Sequence, residues 1–402
     1  MASPDSHRRR LAQLKSSETK ARRTQGDREA DAGKLRRDAT KKRESANKVS
    51  SATTQRSRLR EAERLERRAE ATDKKTAAAD RVAPLRGGGW RTLSRPELGL
   101  ADVISNRIFA SSRIQEGCLR SLRSGASLLM FSDYGGAHKH ARYEVLSFLV
   151  STVHGLHSFD TERRRLREGS LGVERRMSYK ALNDKVRMRS LRAYLDATDQ
   201  LQGLLVNFAL DKRATDRLSE GYTSDTAFGH LGRWADRPFG KLTRVGHLAA
   251  ILIEGVRRDG QNLIWITDED EIAPNDPKHA EATKILGHYL NSYCSGAMGH
   301  FRFGTTASDA GDLLIEDLAA APDLAAGCLG EVLSLIAPHP ESSSVERLFL
   351  PAGGGIPAKV IDIATWLADS SRTLKKLNLV VDGSSVDCSI RNFEIITKLE
   401  EL

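Results

Sequence analysis

Residues 1–33 are polar and nearly free of large apolar side chains, the pattern of a flexible tail. Residues 34–83 contain no Gly and no Pro and are rich in Ala, Arg, Lys and Glu. They predict a helical arm, with one helix over about 34–48 and another over about 56–79, interrupted by the Ser/Thr cluster at 50–54. The seam of this arm is weak. Ala62, Ala69 and Thr76 recur at sevens, as do Leu65, Thr72 and Ala79, and such small residues bury little area. The arm either pairs with a partner or is a solvated charged helix. Gly87-Gly88-Gly89 reads as a linker, so the folded body begins near Trp90.

Beyond the linker the apolar pattern strengthens. A helical lead-in over about 97–123 precedes SLLMFSD (127–133), a buried strand ending on an acid. YGGAHKH is a Gly-bearing turn, and RYEVLSFLVST (142–152) is the next strand. Residues 160–200 are charged with a helical period, clearest in LRAYLDATDQL. LQGLLVNFALD (201–211) predicts a strand, HLAAILIEGVRR (247–258) an apolar helix, QNLIWITDED (261–270) a strand ending in acids, and HFRFGTT (300–306) a further strand. Residues 313–336 are helical, with Pro322 marking a break or a fresh start. Residues 376–396 read as a hairpin turning at Asp382-Gly383. Strands alternating with helices predict an α/β domain with a mixed sheet flanked by helices. The expected organisation is a basic tail (1–33), a charged helical arm (34–86), a linker and lead-in (87–124), the main domain (125–336) and a C-terminal helix and hairpin extension (337–402).

Charge divides the chain at the same place. Residues 1–86 hold 25 Lys and Arg against 13 Asp and Glu, while the whole chain carries only +10, so the basic excess belongs to the tail and arm. No stretch approaches 18 consecutive apolar residues, which argues against a membrane span. The first residues lack the apolar core of a secretory signal, and Asp27, Glu29, Asp31 and Asp38 argue against a transit peptide. Cys118, Cys294, Cys328 and Cys388 are far apart and form no CxxC pair, which disfavours a disulfide framework or a structural zinc. These features together predict a cytoplasmic protein.

Phosphate-loop, HExxH, GxSxG and GxGxxG motifs are missing from the sequence. What remains is acids at strand ends: Asp133 after the first core strand, Asp268 and Asp270 after NLIWIT, and Asp309, Glu316, Asp317 and Asp323 around the last large helix. Carboxylates gathered at one sheet edge repel one another unless a cation neutralises them, and such hard oxygen donors suit Mg²⁺ or Mn²⁺. Two such ions about 4 Å apart can activate water for phosphodiester cleavage. Each acid also has a structural role open to it. Asp133 can cap the Gly135-Gly136 turn. Asp268 or Asp270 can cap the helix after Ala273-Pro274-Asn275. Asp323 can favour the dipole of a helix starting at Pro322. His138, Lys139 and His140 can serve a phosphate or simply form a solvated turn.

The run Leu128-Leu129-Met130-Phe131-Ser132-Asp133-Tyr134-Gly135-Gly136, followed by a second strand, resembles the opening of the DUF3800 family of bacterial proteins. The run Glu316-Asp317-Leu318 with Asp323-Leu324-Ala325-Ala326-Gly327 resembles that family's closing helix. The resemblance spans about residues 125–335. It implies a ribonuclease H-like fold, with metal-binding acids in the first strand, at the end of the fourth strand and in the last helix: Asp133, Asp268 and Asp323. Asp270 and Asp317 are further candidate ligands. Family members often carry Glu-x-Lys between; Met177-Ser178-Tyr179-Lys180 keeps the Lys but not the Glu, for which Glu174 or Asp184 would have to substitute.

The expectation is therefore a metal-dependent nuclease with Asp133, Asp268, Asp323 and Lys180 as catalytic residues, in a setting of bacterial defence or mobile elements that the resemblance alone implies. The alternative is a non-catalytic nucleic-acid-binding or adaptor protein that assembles through residues 34–83. Arg8, Arg9, Arg10, Arg22, Arg23, Arg36, Arg37, Lys41, Lys42 and Arg43 are the candidate contacts to a nucleic-acid backbone, sequence-blind and salt-sensitive. No aromatic precedes Trp90, so this region stacks no bases. Glu61, Glu63, Glu66 and Glu70 weaken the phosphate field of the second helix and favour assembly there, with a second copy or another protein.

Overall fold

The computed structural model describes residues 89–111, 116–136, 141–214, 234–268, 271–309, 311–336, 347–349, 356–383 and 388–396, together with Leu218, Phe228 and five helical positions in the arm: Lys34, Asp38, Lys41, Ser45 and Glu61. The expected tail, the rest of the arm, Asp270 and the His138-Lys139-His140 turn lie outside the described residues. The chain divides into two units, residues 1–86 and 87–402, at the glycine linker.

The second unit is an α/β protein. Its strands are β1 (Ser127–Gly135), β2 (Tyr143–Thr152), β3 (Leu204–Asp211), β4 (Asn262–Thr267), β5 (Phe301–Thr305), β6 (Arg347–Phe349), β7 (Lys375–Gly383), β8 (Cys388–Asn392) and β9 (Glu394–Ile396). Seven of them form one mixed sheet in the order β5-β4-β1-β2-β3-β7-β8, and β6 pairs with β9 in a small parallel sheet. The pair β1/β2 is antiparallel, as is β2/β3, whereas β4 lies parallel to β1 and β5 parallel to β4.

Both faces of the sheet are covered, and strand alternation sorts the side chains between them. Leu128, Met130, Phe148, Phe208 and Trp265 enter one core, with α1 (Leu100–Phe109), α5 (Asp236–Val256) and α6 (Asp276–Tyr293). Phe131, Val145, Leu149, Leu205 and Ile266 enter the other, with α3 (His157–Leu166), α4 (Lys185–Thr198), α7 (Leu314–Ile336) and α8 (Ala358–Ala368). Between α1 and β1 lies α2 (Glu116–Ser124). The central β2 is buried at all ten positions because helices press on it from both sides.

Two expectations need correction. Helix α7 runs unbroken through Pro322. The helix lies along the sheet with Ala320, Ala321, Leu324, Ala325 and Ala326 buried, and this burial outweighs the cost of one lost backbone hydrogen bond. This helix is long and apolar enough to cross a membrane by composition, but 72% of its apolar window is buried inside the protein. Asp382-Gly383 is not the hairpin tip, because both residues still pair across to β8, with Ser389 and Cys388. The Asp382 carboxylate is held by Arg142 and Arg391, which fixes it within the sheet.

Candidate active site

Register and alternation alone bring two of the acids together. Strands β1 and β4 run parallel, and their last paired positions are Ser132 and Thr267. The next residue on each strand is Asp133 and Asp268. Asp133 follows the alternation of Phe131, and Asp268 that of Ile266, so both belong to the face covered by α7. The carboxyl ends of neighbouring parallel strands are a common place for ligands to bind.

The third acid comes from α7. Asp323 lies in the middle of that helix, nine residues after its start, so the helix dipole does not explain it. Its Oδ2 accepts the backbone N–H of Tyr179 at 2.7 Å. Tyr179 opens a one-turn 3-10 helix, Tyr179–Ala181, that also carries Lys180. The Tyr179 hydroxyl donates to Glu331 at 2.5 Å, one further step along α7, and Lys359 sits over its ring at 3.9 Å. Between Asp323 and Glu331 stands Gly327. A Cβ there would fall 2.3 Å from the Tyr179 ring, so only glycine lets the turn dock this closely. Gly136, with φ +73, ends β1 where a side chain would strike the Tyr143 carbonyl. The glycines after Asp133 and Asp323 thus have packing reasons. Gly327→Ala is expected to displace Tyr179 and cost about 1–3 kcal/mol in urea denaturation.

These elements enclose a cavity of about 1050 Å³ lined by Asp133, Asp268, Asp323 and Lys180, and also by Arg176, Arg187, Lys241, Glu271 and Glu331. Thr306 donates to Asp268 at 3.0 Å, and Arg176 lies 3.8 Å from the same oxygen. Lys241 pairs with Glu271 at 3.4 Å and stands over the Tyr134 ring. Burial pushes the Asp323 carboxyl up to about 6; the Tyr179 N–H opposes this, the Asp268 charge adds to it, and Lys180 and Arg176 pull it back.

That shift has a stability sign. The folded value lies above the ordinary 3.8. The folded state therefore binds more protons, and stability falls as pH rises from about 4 to about 6. Asn at 323 keeps an acceptor for Tyr179 without the charge. Asp323→Asn is expected to be more stable than the wild type at pH 7, by about 1–3 kcal/mol, with the gain vanishing below about pH 4. Denaturant titrations at both pH values measure it.

Other expected site residues lie elsewhere. Asp317 is not at the cavity. It is buried, with Arg167 donating to Oδ1 at 2.5 Å and Arg163 to Oδ2 at 3.3 Å. Its place in the helix turns it toward α3, away from the side that carries Asp323 and Gly327. Asp309 accepts four backbone N–H groups, from Gly311, Leu313, Ile315 and Glu316, and so caps α7. Asp184 caps α4 through Val186 and Arg187. Glu174 is exposed and does not line the cavity, so neither residue replaces the missing Glu. The following helix is capped by Asn275, not by Asp268.

The pattern gave no notice of Arg176, Arg187, Lys241, Glu271 and Glu331. Lys241 was hidden because α5 begins at Asp236, eleven residues before the apolar run that marks it. Glu331 is legible only after Asp323 is placed, since it lies two helical turns further along one face.

The donor set is suited in kind to a hard divalent cation, being made of carboxylates, one of which, Asp323, is pushed toward protonation chiefly by burial and in part by the Asp268 charge. Among the described residues, no three His, Cys, Asp or Glu side chains stand close enough to enclose an ion as they are placed. The fold and cavity define an α/β protein with a mixed sheet and with acids and cations facing one another at the carboxyl ends of parallel strands. No family model, curated protein or solved structure matches the chain.

Proposed function

We propose that the second unit is a ribonuclease H-like, divalent-metal-dependent phosphodiester hydrolase of the DUF3800 kind, acting on DNA or RNA. One observation carries the reading. Acids from the first strand, the end of the fourth strand and the last long helix of the 125–336 region border one cavity, although 190 positions separate the first from the last. Those are the three places that the family resemblance implies.

In this reading Asp133, Asp268 and Asp323 hold Mg²⁺ or Mn²⁺. A bound ion would supply an activated water and a positive charge for the phosphate. The chain's own groups do the rest. Lys180, exposed beside Asp323, meets a phosphate oxygen and offsets its charge. The Tyr179 N–H fixes the Asp323 carboxylate in orientation, and Gly327 lets that turn approach. The basic clusters of the tail and the first part of the arm, from Arg8 to Arg43, add sequence-blind attraction to the backbone.

The test is direct. Mn²⁺ is titrated into the full chain, and labelled single- and double-stranded DNA and RNA are then offered with and without it. Metal binding with metal-dependent cleavage supports the hydrolase. A second reading, a non-catalytic nucleic-acid-binding adaptor on the same fold, draws on the lack of three converging ligands among the described residues. Salt-sensitive nucleic-acid binding without metal uptake or turnover selects it.

A further inference from the structure

Two residues before Ser178, which stands where the family resemblance implies a Glu, the loop brings a cation to the acids. The Arg176 guanidinium lies 2.5 Å from Glu316 Oε2 and 3.8 Å from Asp268 Oδ1. Its charge also acts on Asp323. Its backbone is pinned, because Arg187 donates to the Arg176 carbonyl at 2.8 Å and the next residue, Met177, is buried. Its side chain is half exposed, at 52%. A fixed backbone thus carries a long side chain whose tip is held, among the described residues, by ionic contacts with Glu316 and Asp268.

We infer that Arg176 is a displaceable internal counter-cation: anchored on Glu316, which does not line the cavity, it neutralises Asp268, and it yields that carboxylate to a divalent ion. The inference rests on the metal-dependent reading of the cavity. Acids gathered at one sheet edge need a positive charge in every state of the protein. A guanidinium serves because it is always charged and weakly hydrated. The Arg176–Asp268 contact is long, at 3.8 Å, and half exposed on both sides, so it is weak and its release is cheap. A divalent ion brings two charges against one and wins the same oxygens.

Calorimetric titration of Mn²⁺ into the full chain tests it, comparing wild type, Arg176→Gln, Arg176→Ala and Arg176→Lys, with melting curves for each. Removing the charge is expected to tighten Mn²⁺ binding about fivefold to tenfold in the Gln and Ala variants, while the Lys variant stays within about twofold of wild type. A merely structural Arg176 predicts weaker binding in all three. Equal or weaker binding by the Gln and Ala variants, beside wild type that does bind, overturns the counter-cation and leaves the metal reading standing. Failure of both wild type and variants to bind Mn²⁺ ends the metal reading itself, and the counter-cation with it.

Discussion

If the second unit is the proposed hydrolase, Asp133→Asn is expected to lower its metal-dependent phosphodiester cleavage by about 10²–10³-fold or more, with little change in stability. The substitution conserves shape and leaves an acceptor oxygen, so β1 keeps its pairing with β2 and β4. What it removes is one negative charge from the shared field of Asp133, Asp268 and Asp323. A ligand carboxylate contributes through that charge, both by holding the ion and by fixing where its activated water stands. Asp268→Asn is expected to behave alike. The control is Asn275→Ala, which strips the α6 cap away from the cavity lining; it costs about 1 kcal/mol in folding and leaves the rate within about twofold. Rates are measured on end-labelled oligonucleotides under saturating Mn²⁺. A fall of less than about tenfold for both Asn variants, with normal melting, sinks the assignment of these acids to the reacting centre.

How far such a site can be read from sequence depends on which physical rule places each residue. Asp133 and Asp268 were legible because strand period and register are strict: each acid ends an apolar run, and parallel pairing of those runs sets the acids side by side. The alternation of the central strands was clear for the same reason. Asp323 was legible as an acid in the closing helix, but its setting was misread, because Pro322 predicts a start and tertiary burial of α7 overrides that local rule. Arg176 and Glu331 reach the cavity only through the docking of the Tyr179 turn on Gly327. That contact joins residues far apart in the chain and has no local period to reveal it. The same limit explains Asp317. Its neighbour Glu316 pairs with Arg176, yet on a helix one step turns a side chain by about 100°, enough to put Asp317 in a buried ionic knot instead.

That knot yields the largest expected effect on folding. Asp317 is 1% exposed, and its partners Arg163 and Arg167 are 2% and 6% exposed at their side chains. Burial pushes the Asp317 carboxyl up, while Arg167 and Arg163 pull against that shift and keep the acid in a paired state. Arg163 has further partners in Asp160 and the Asp312 carbonyl, and Arg167 in the Gly172 and Arg175 carbonyls. Among the described residues only Asp317 receives both guanidinium groups, so it supplies the negative charge that closes the cluster from the α7 side. Asp317→Ala leaves buried positive charge without that partner, and a loss of about 3–5 kcal/mol is expected in denaturant titration. This is a large share of a stability that for such proteins totals roughly 5–15 kcal/mol. The cavity lies outside the knot, so activity per folded molecule is expected to survive at low temperature. Replacing Arg167 by Met in the same chain removes the stranded charge and is expected to recover part of the loss, because a buried ion pair exchanged for apolar side chains of like volume is often neutral. Little destabilisation by Asp317→Ala, together with lost cleavage, returns Asp317 to the list of metal ligands.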